Sequence, residues 1–389
     1  NKRSMNYLQE SFNPMDVFNY VMNSFQALIS AISSNVNFII NGVNRRRPQH
    51  PATEAPDLTT PNDSNSILDD INKGITSQSI TVEDCGLSNM PKPRDLIDDR
   101  IVNGKEAEKG QFPWQIILKI VMPGNKTYLC GGSILNEHWV LTAGHCVTNA
   151  RDGSLQNGMV VEATAGAHYR KELSATQTQT RTADCVIPHP CWRGNDGNLA
   201  NDLALLRIPK NNPYKMTYKS GGNVNGICLP KKQSPPYQHE GIAWVSGWGL
   251  SKSGNSPDNS PPNALRYTNV TIISDRQCRD WPLSPFGSII IDSMMCQKND
   301  RRSPCNGDSG GPLIYYPDDR RATQIGIVSF GPGQCAIAYW PNAVYTEVSY
   351  FNDWIDSTVR KYDGDAQCPN LRNTCSRSGQ KPPSINLGK

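Results

Sequence analysis

Twelve cysteines run through this chain of 389 residues, and eleven of them follow residue 101. The number is even, and none sits in a Cys-x-x-Cys pair of the kind that holds zinc or carries redox chemistry. Six disulfides and an oxidising compartment follow, with secretion as the expected setting. Only Cys85 precedes Ile101, which excludes small cysteine-rich modules from the amino-terminal part. The chain starts at Asn1 without a charged-then-apolar leader, so a signal peptide is expected to have been removed ahead of this numbering. Three acceptor sequons, at Asn62, Asn125 and Asn269, suit the same compartment. The 39 basic and 35 acidic residues are mixed along the chain, and a net charge of +4 points to neither nucleic acid nor a membrane.

The amino-terminal hundred residues divide in two. In residues 1–43, Asn13-Pro14 precedes Met15, Val17, Phe18, Val21, Met22, Phe25, Leu28, Ile29 and Ile32, which are apolar at helical spacing behind a cap and a first-turn proline. This predicts one amphipathic helix, docked on its own chain or on a copy of it. Asp16, Asn19, Asn23, Ser24 and Gln26 interrupt the run and argue against a membrane span. Residues 44–100 read as a linker, polar and proline-rich, with Arg45-Arg46-Arg47 as a solvated charge cluster.

After Ile101 the texture changes to short runs rich in Val, Ile, Trp and Tyr: Trp139–Thr142, Asp202–Ile208, Ala243–Ser246 and Gln324–Phe330. Turn residues separate them at close intervals, which predicts an all-β domain of antiparallel barrels or a sandwich over residues 101–362. Tyr350–Arg360 places Phe351, Trp354, Ile355 and Val359 on one helical face, a terminal helix that packs back on the domain. Residues 363–389 form a tail.

Gly307-Asp-Ser-Gly-Gly-Pro312 sets Ser309 in a glycine-rich turn, where small residues let backbone N–H groups approach a reacting carbonyl. Thr142-Ala-Gly-His145-Cys146 supplies a histidine just after a strand, and Asn201-Asp202-Leu-Ala-Leu205 supplies an aspartate that opens another. The order His, Asp, Ser matches one of the known arrangements of a nucleophile, its base and an orienting acid. His138, His168, His189 and His239 lack such contexts and read as structural or surface residues.

Residues 101 to about 361 resemble the trypsin and chymotrypsin family. Ile101-Val-Asn-Gly104, the histidine and aspartate motifs, Gly247-Trp-Gly249, Cys305–Pro312, Ser329-Phe-Gly331 and Val344-Tyr-Thr346 occur in the family's order. The resemblance implies two six-stranded antiparallel β-barrels with a triad of His145, Asp202 and Ser309 in the cleft between them. It implies an oxyanion hole from the N–H groups of Gly307 and Ser309. It also implies activation by cleavage of Arg100-Ile101, after which the new Ile101 ammonium pairs with Asp308.

Four bridges follow from the same resemblance: Cys130 with Cys146, Cys278 with Cys296, Cys305 with Cys335, and Cys85 with Cys228. The last would keep residues 1–100 tethered after activation. Cys185 with Cys191 and Cys368 with Cys375 remain as close pairs, with cross-pairing left open.

Where trypsin-like members carry an aspartate for basic substrates, this chain has Ser303, and Ser329, Gly331 and Ala343 add no charge to the pocket. A neutral pocket favours apolar or aromatic side chains. Such an enzyme would not cut after Arg100, so a trypsin-like protease is expected to activate it. Protein or peptide substrates and protein inhibitors are the expected partners. No cofactor is implied, and no metal either, because Ser174 and its neighbours replace the carboxylates of the family's calcium segment. The alternative is a protease-like binding or assembly protein that acts through its amino-terminal segment.

Overall fold

The computed structural model describes residues 80–90, 104–230, 239–250, 260–280, 289–298, 302–317, 321–332, 335, 341–363, 366–368 and 375. The helix expected within residues 1–43, most of the 44–100 linker, the Asn62 sequon and the Arg100-Ile101 bond lie outside them. Among the described residues no helix is long and apolar enough to cross a membrane.

Hairpins build the domain. β2 (Gln115–Met122) and β3 (Lys126–Asn136) pair in register from Gln115 against Ser133 to Met122 against Lys126. Gly124 and Asn125, both with positive φ, make the turn that joins them, a backbone state that glycine and asparagine adopt most readily. β4 (Trp139–Thr142), β5 (Val160–Ala165), β6 (Gln179–Thr182), β7 (Cys185–Pro188) and β8 (Ala204–Arg207) complete a first antiparallel sheet in the order β6-β5-β2-β3-β4-β8-β7. Ile116, Leu118, Ile134, Leu141 and Leu205 fill its interior with no exposed surface.

The second sheet contains β9 (Gly241–Gly247), β10 (Arg266–Ile273), β11 (Met294–Gln297), β12 (Pro312–Tyr315), β13 (Thr323–Phe330) and β14 (Val344–Glu347). β9 pairs with both β10 and β12, so these six strands close into a barrel, and β1 (Lys105–Glu106) adds to the outside of β10. Ala243, Val270, Leu313, Ile325 and Tyr345 pack inside. The fold is therefore all-β of the two-barrel kind, with one barrel closed and the other an open half-barrel.

A buried polar seam joins the two. Ser133 donates to Gln324 at 2.5 Å and Ser246 donates to Gln115 at 2.6 Å. Buried polar groups paired this way fix one docking geometry, because a shifted register would strand them without partners. A short helix, α1 (Asp275–Arg279), caps on Ser274, and α2 (Asn352–Tyr362) buries Ile355 and Val359 against the core.

The flanking segments are held as well. Residues 80–90 lie on the domain through Cys85–Cys228 and through backbone bonds from Gly86 N–H to Gly226 O and from Ala322 N–H to Gly86 O. Cys130–Cys146, Cys278–Cys296 and Cys305–Cys335 are also bonded. The two remaining pairs require a correction. Cys185 bonds Cys368 and Cys191 bonds Cys375, in place of Cys185–Cys191 and Cys368–Cys375. The reason is geometric: α2 carries the chain back to the first sheet, and Arg207 of β8 donates to the carbonyls of Tyr362 and Ala366 at 2.9 and 2.6 Å. The tail thus arrives beside β7, and cysteines 183 and 184 positions apart meet there.

Candidate active site

Strand pairing brings the histidine and the aspartate together. Thr142, the last residue of β4, lies opposite Ala204, the first of β8. His145 follows three positions after the one, and Asp202 stands two positions before the other. His145 sits in a single tight turn, Gly144–Cys146, with Gly144 flat against the buried Trp192: a Cβ there would stand 3.1 Å from the indole. Asp202 accepts from the His145 backbone N–H at 2.8 Å with Oδ1, and its Oδ2 lies 2.7 Å from His145 Nδ1.

Asp202 is 1% exposed. Burial pushes its carboxyl up, but the charge of His145 and hydrogen bonds from His145 and Ser329 outweigh that and hold it below the ordinary range. The same pair acts on the imidazole. Burial would lower its pKa, and the Asp202 charge and hydrogen bond more than compensate, leaving it raised. The Nδ1–H···Oδ2 bond leaves Nε2 as the ring's basic atom.

Ser309 arrives from the other barrel. Its carbonyl accepts from Gly131 N–H of β3 at 2.7 Å, and Cys130–Cys146 ties that same strand to the histidine turn. Gly310, with φ of 78°, cannot be replaced without collision, since a Cβ would lie 2.3 Å from Thr142 Oγ1 and 2.7 Å from Gly131 O. The glycines after the serine are thus what allow the turn to seat on the first barrel. Among the described residues no hydrogen bond joins Ser309 Oγ to His145. Among the described residues, neither Gly307 N–H nor Ser309 N–H donates a backbone hydrogen bond.

Asp308, next to the serine, points the other way. Its carboxylate accepts from Gly249 N–H at 2.7 Å and Cys305 N–H at 2.9 Å. Burial pushes its pKa up to about 6, with those two bonds opposing the shift. Gly247 and Gly249 are required here, because a Cβ on either would approach the carboxylate within 2.1 and 2.5 Å. A cavity of about 40 Å³ adjoins it, lined also by Gly104, Arg266 and Ser303.

A second cavity, of about 100 Å³, opens beside Ser309 and is lined by Ser329, Phe330, Gly331, Asn342 and Ala343 among others. No described residue in its lining carries a charge. Ser303, expected in this pocket, lines the Asp308 cavity, and Pro304 borders both. Ser329 does more than line a wall, since its hydroxyl donates to Asp202 Oδ2 at 2.5 Å. Thr346 donates to the Asp202 carbonyl at 2.8 Å. These two supports have no local signature beyond the motifs Ser329-Phe-Gly331 and Val344-Tyr-Thr346.

Other candidate residues separate from the site. Asn125 is exposed in the β2–β3 turn, as a glycan acceptor must be. Asn269 is 5% exposed in β10, and its amide oxygen accepts from Arg302, so the folded chain offers no room for a glycan there. Cys130, His145 and Cys146 cluster closely enough to suggest a metal, but both sulfurs are bonded to each other and supply no thiolate.

The Trypsin family profile matches residues 101–355. Lectizyme of Glossina austeni is 34% identical over 269 residues, covering 68% of this chain and 88% of its own length. Proproteinase E of Bos taurus is 30% identical, covering 67% and 95%. Melanization protease 1 of Drosophila melanogaster is 30% identical, covering 70% and 69%. The solved structure of HL collagenase superposes with a TM-score of 0.53 at 30% identity, covering 67% of this chain and 99% of that one.

Proposed function

Since the chain belongs to the trypsin family and is a serine endopeptidase, we propose that it is a secreted zymogen, switched on by cleavage at Arg100-Ile101, that cuts after apolar or aromatic residues. A serine hydroxyl is a weak nucleophile near neutral pH. His145 removes its proton as Ser309 attacks the scissile carbonyl and returns that proton to the leaving amine. Asp202 orients the ring and stabilises its charged form. The N–H groups of Gly307 and Ser309 receive the oxyanion, and each such donor contributes roughly 3–4 kcal/mol to the transition state in comparable sites.

One observation carries the activation step: Gly104, three residues beyond Ile101, lines the small cavity that adjoins Asp308. Three residues span about 10 Å at most, so an Ile101 ammonium is within reach of that carboxylate. Ion pairing there would lower the Asp308 pKa and order the turn that holds Ser309. The name Proproteinase E, a relative described as a precursor, supports the same reading. Cys85–Cys228 and the docked residues 80–90 would keep the amino-terminal segment attached afterwards.

The uncharged cavity beside Ser309 supports the substrate preference. An arginine or lysine placed there would lose its water without gaining a counter-charge, whereas an apolar side chain gains roughly 1.5–3 kcal/mol from burial. Activation after Arg100 then falls to a trypsin-like protease. Six disulfides and an exposed Asn125 sequon support secretion.

A fluorophosphonate probe applied before and after limited trypsin treatment tests the whole reading. Labelling of Ser309 should appear only after cleavage at Arg100, and peptide-library profiling should then show apolar or aromatic residues ahead of the cut. Confirmed cleavage without labelling, with Ser309→Ala as control, would leave the chain as a protease-like binding protein.

A further inference from the structure

The loop that ends at Asp202 holds most of the left-handed non-glycine backbone among the described residues. Four non-glycine residues have positive φ, and three of them stand just before the aspartate: Asn198 at 53°, Leu199 at 61° and Asn201 at 62°. Asparagine tolerates this region, whereas the leucine Cβ crowds the following carbonyl oxygen and its side chain has no polar group to bond locally. Such backbone survives only where its surroundings over-determine it.

The surroundings do so from three sides. The His189 ring meets Phe351 and Trp354, at the start of α2, edge-on at 5.1 and 5.0 Å. Trp192 is 1% exposed and donates from Nε1 to Thr148 Oγ1 at 2.8 Å, beneath the histidine turn. Between these anchors, Cys191 is bonded to Cys375 of the tail. The Cys191 carbonyl accepts from the side chain of Asn201 at 3.3 Å, and Asn201 is the residue before Asp202. One amide therefore links the disulfide to the aspartate.

We propose that the carboxy-terminal tail is a positioning device for catalysis: through Cys191–Cys375 it holds the strained loop so that Asp202 keeps both of its contacts with His145. The proposal rests on the roles assigned above to His145 and Asp202. Cys191 and Cys375 touch no reacting atom and act through the loop. Cys185–Cys368 anchors the tail, and β7 has its own pairing with β8 to hold it.

The test uses the full chain, activated with trypsin and titrated with a fluorophosphonate so that rates refer to competent sites. Cys191→Ser/Cys375→Ser removes the one bond without leaving a lone thiol. Its kcat on a small ester should fall about tenfold at unchanged KM, since small displacements of catalytic groups are felt strongly. The midpoint of its acid limb should move down toward the ordinary imidazole value as the Asp202 contact loosens. Adding Leu199→Gly, which removes the steric strain, should restore most of the kcat. Cys185→Ser/Cys368→Ser should lose about twofold or less, because β7 remains paired with β8.

An unchanged kcat and pH profile in Cys191→Ser/Cys375→Ser overturns the proposal, and so does a loss that Leu199→Gly does not correct. If the double variant fails to fold, recovery by Leu199→Gly supports the proposal and failure of both overturns it. If the wild type never labels after cleavage, the catalytic reading is what fails. Hydrogen exchange of the 194–202 amides then decides the clamp: exchange about tenfold faster without Cys191–Cys375 supports it, and equal rates overturn it.

Discussion

Asp202 and Asp308 reach the cleft from different barrels, the first ahead of β8 and the second in the turn ahead of β12. Around Asp202 every acceptor is served: two contacts from His145, a hydroxyl from Ser329, and Thr346 on its carbonyl. Its carboxyl is held low despite burial. Around Asp308 only two backbone N–H groups bind the carboxylate, and burial wins, raising it to about 6. The difference separates two tasks. The base and its orienting acid are already paired in the uncleaved chain, whereas the turn that carries the nucleophile is built around a carboxylate that a cation would stabilise.

The contrast can be broken most sharply at Asp202. In activated protein, Asp202→Asn should lower kcat by roughly 10⁴, because the amide favours the wrong imidazole tautomer; a loss under about tenfold in ester turnover would show that His145 needs no charged partner. Asp308→Asn should leave the uncleaved chain folded but cost the cleaved one about 10²–10³ in kcat/KM, as a new ammonium would be buried without its partner. Equal rates for cleaved wild type and Asp308→Asn would end the case for a second, cation-dependent half.

Ser329→Ala removes one hydrogen bond to an ionised group, and kcat should fall about tenfold with KM little changed. The pH profile sharpens the same comparison. His145 must be neutral to act, and its pKa is raised, so kcat/KM should be lost as pH falls through a midpoint above the ordinary imidazole value of about 6.5.

The smallest effect is on stability. In the uncleaved chain Asp308 binds its proton more tightly when folded, near pH 6 against about 4 unfolded. Between those values the folded state holds more protons than the unfolded one, so this group's stabilisation is full below about pH 4 and lost as pH rises through about 6. Urea unfolding at pH 5 and pH 7 should show wild type losing about 1–2 kcal/mol relative to Asp308→Asn. After cleavage the trend should vanish or reverse, since an ammonium partner lowers the folded pKa.

Much of the site was legible because its chemistry is packed into contiguous motifs. A nucleophile in a glycine-rich turn announces itself: Gly307 and Gly310 stand where positive φ is needed, and Gly247 and Gly249 where a Cβ would strike Asp308. His145 and Asp202 each flank an apolar strand, so the sequence also shows which strand ends carry them. Ser329 was visible as a pocket residue, but its bond to Asp202 crosses 127 positions and leaves no local trace. Asn269 looked like a glycan acceptor because a sequon says nothing about which face of a strand is buried.

The linear order of residue types settles what short-range physics controls: strand-forming runs, turn positions that only glycine fills, an even set of cysteines, and the nucleophile, base and acid. Folding had to decide which distant groups meet. Cys185 and Cys191 are neighbours in the chain, as are Cys368 and Cys375, yet each bonds a partner more than 180 positions away because α2 returns the tail to β7. Ser303 likewise lines the Asp308 cavity, while Pro304 borders that cavity and the one beside Ser309. Side-chain chemistry is local and can be read residue by residue, whereas proximity comes from long-range packing, which no single stretch of the chain encodes.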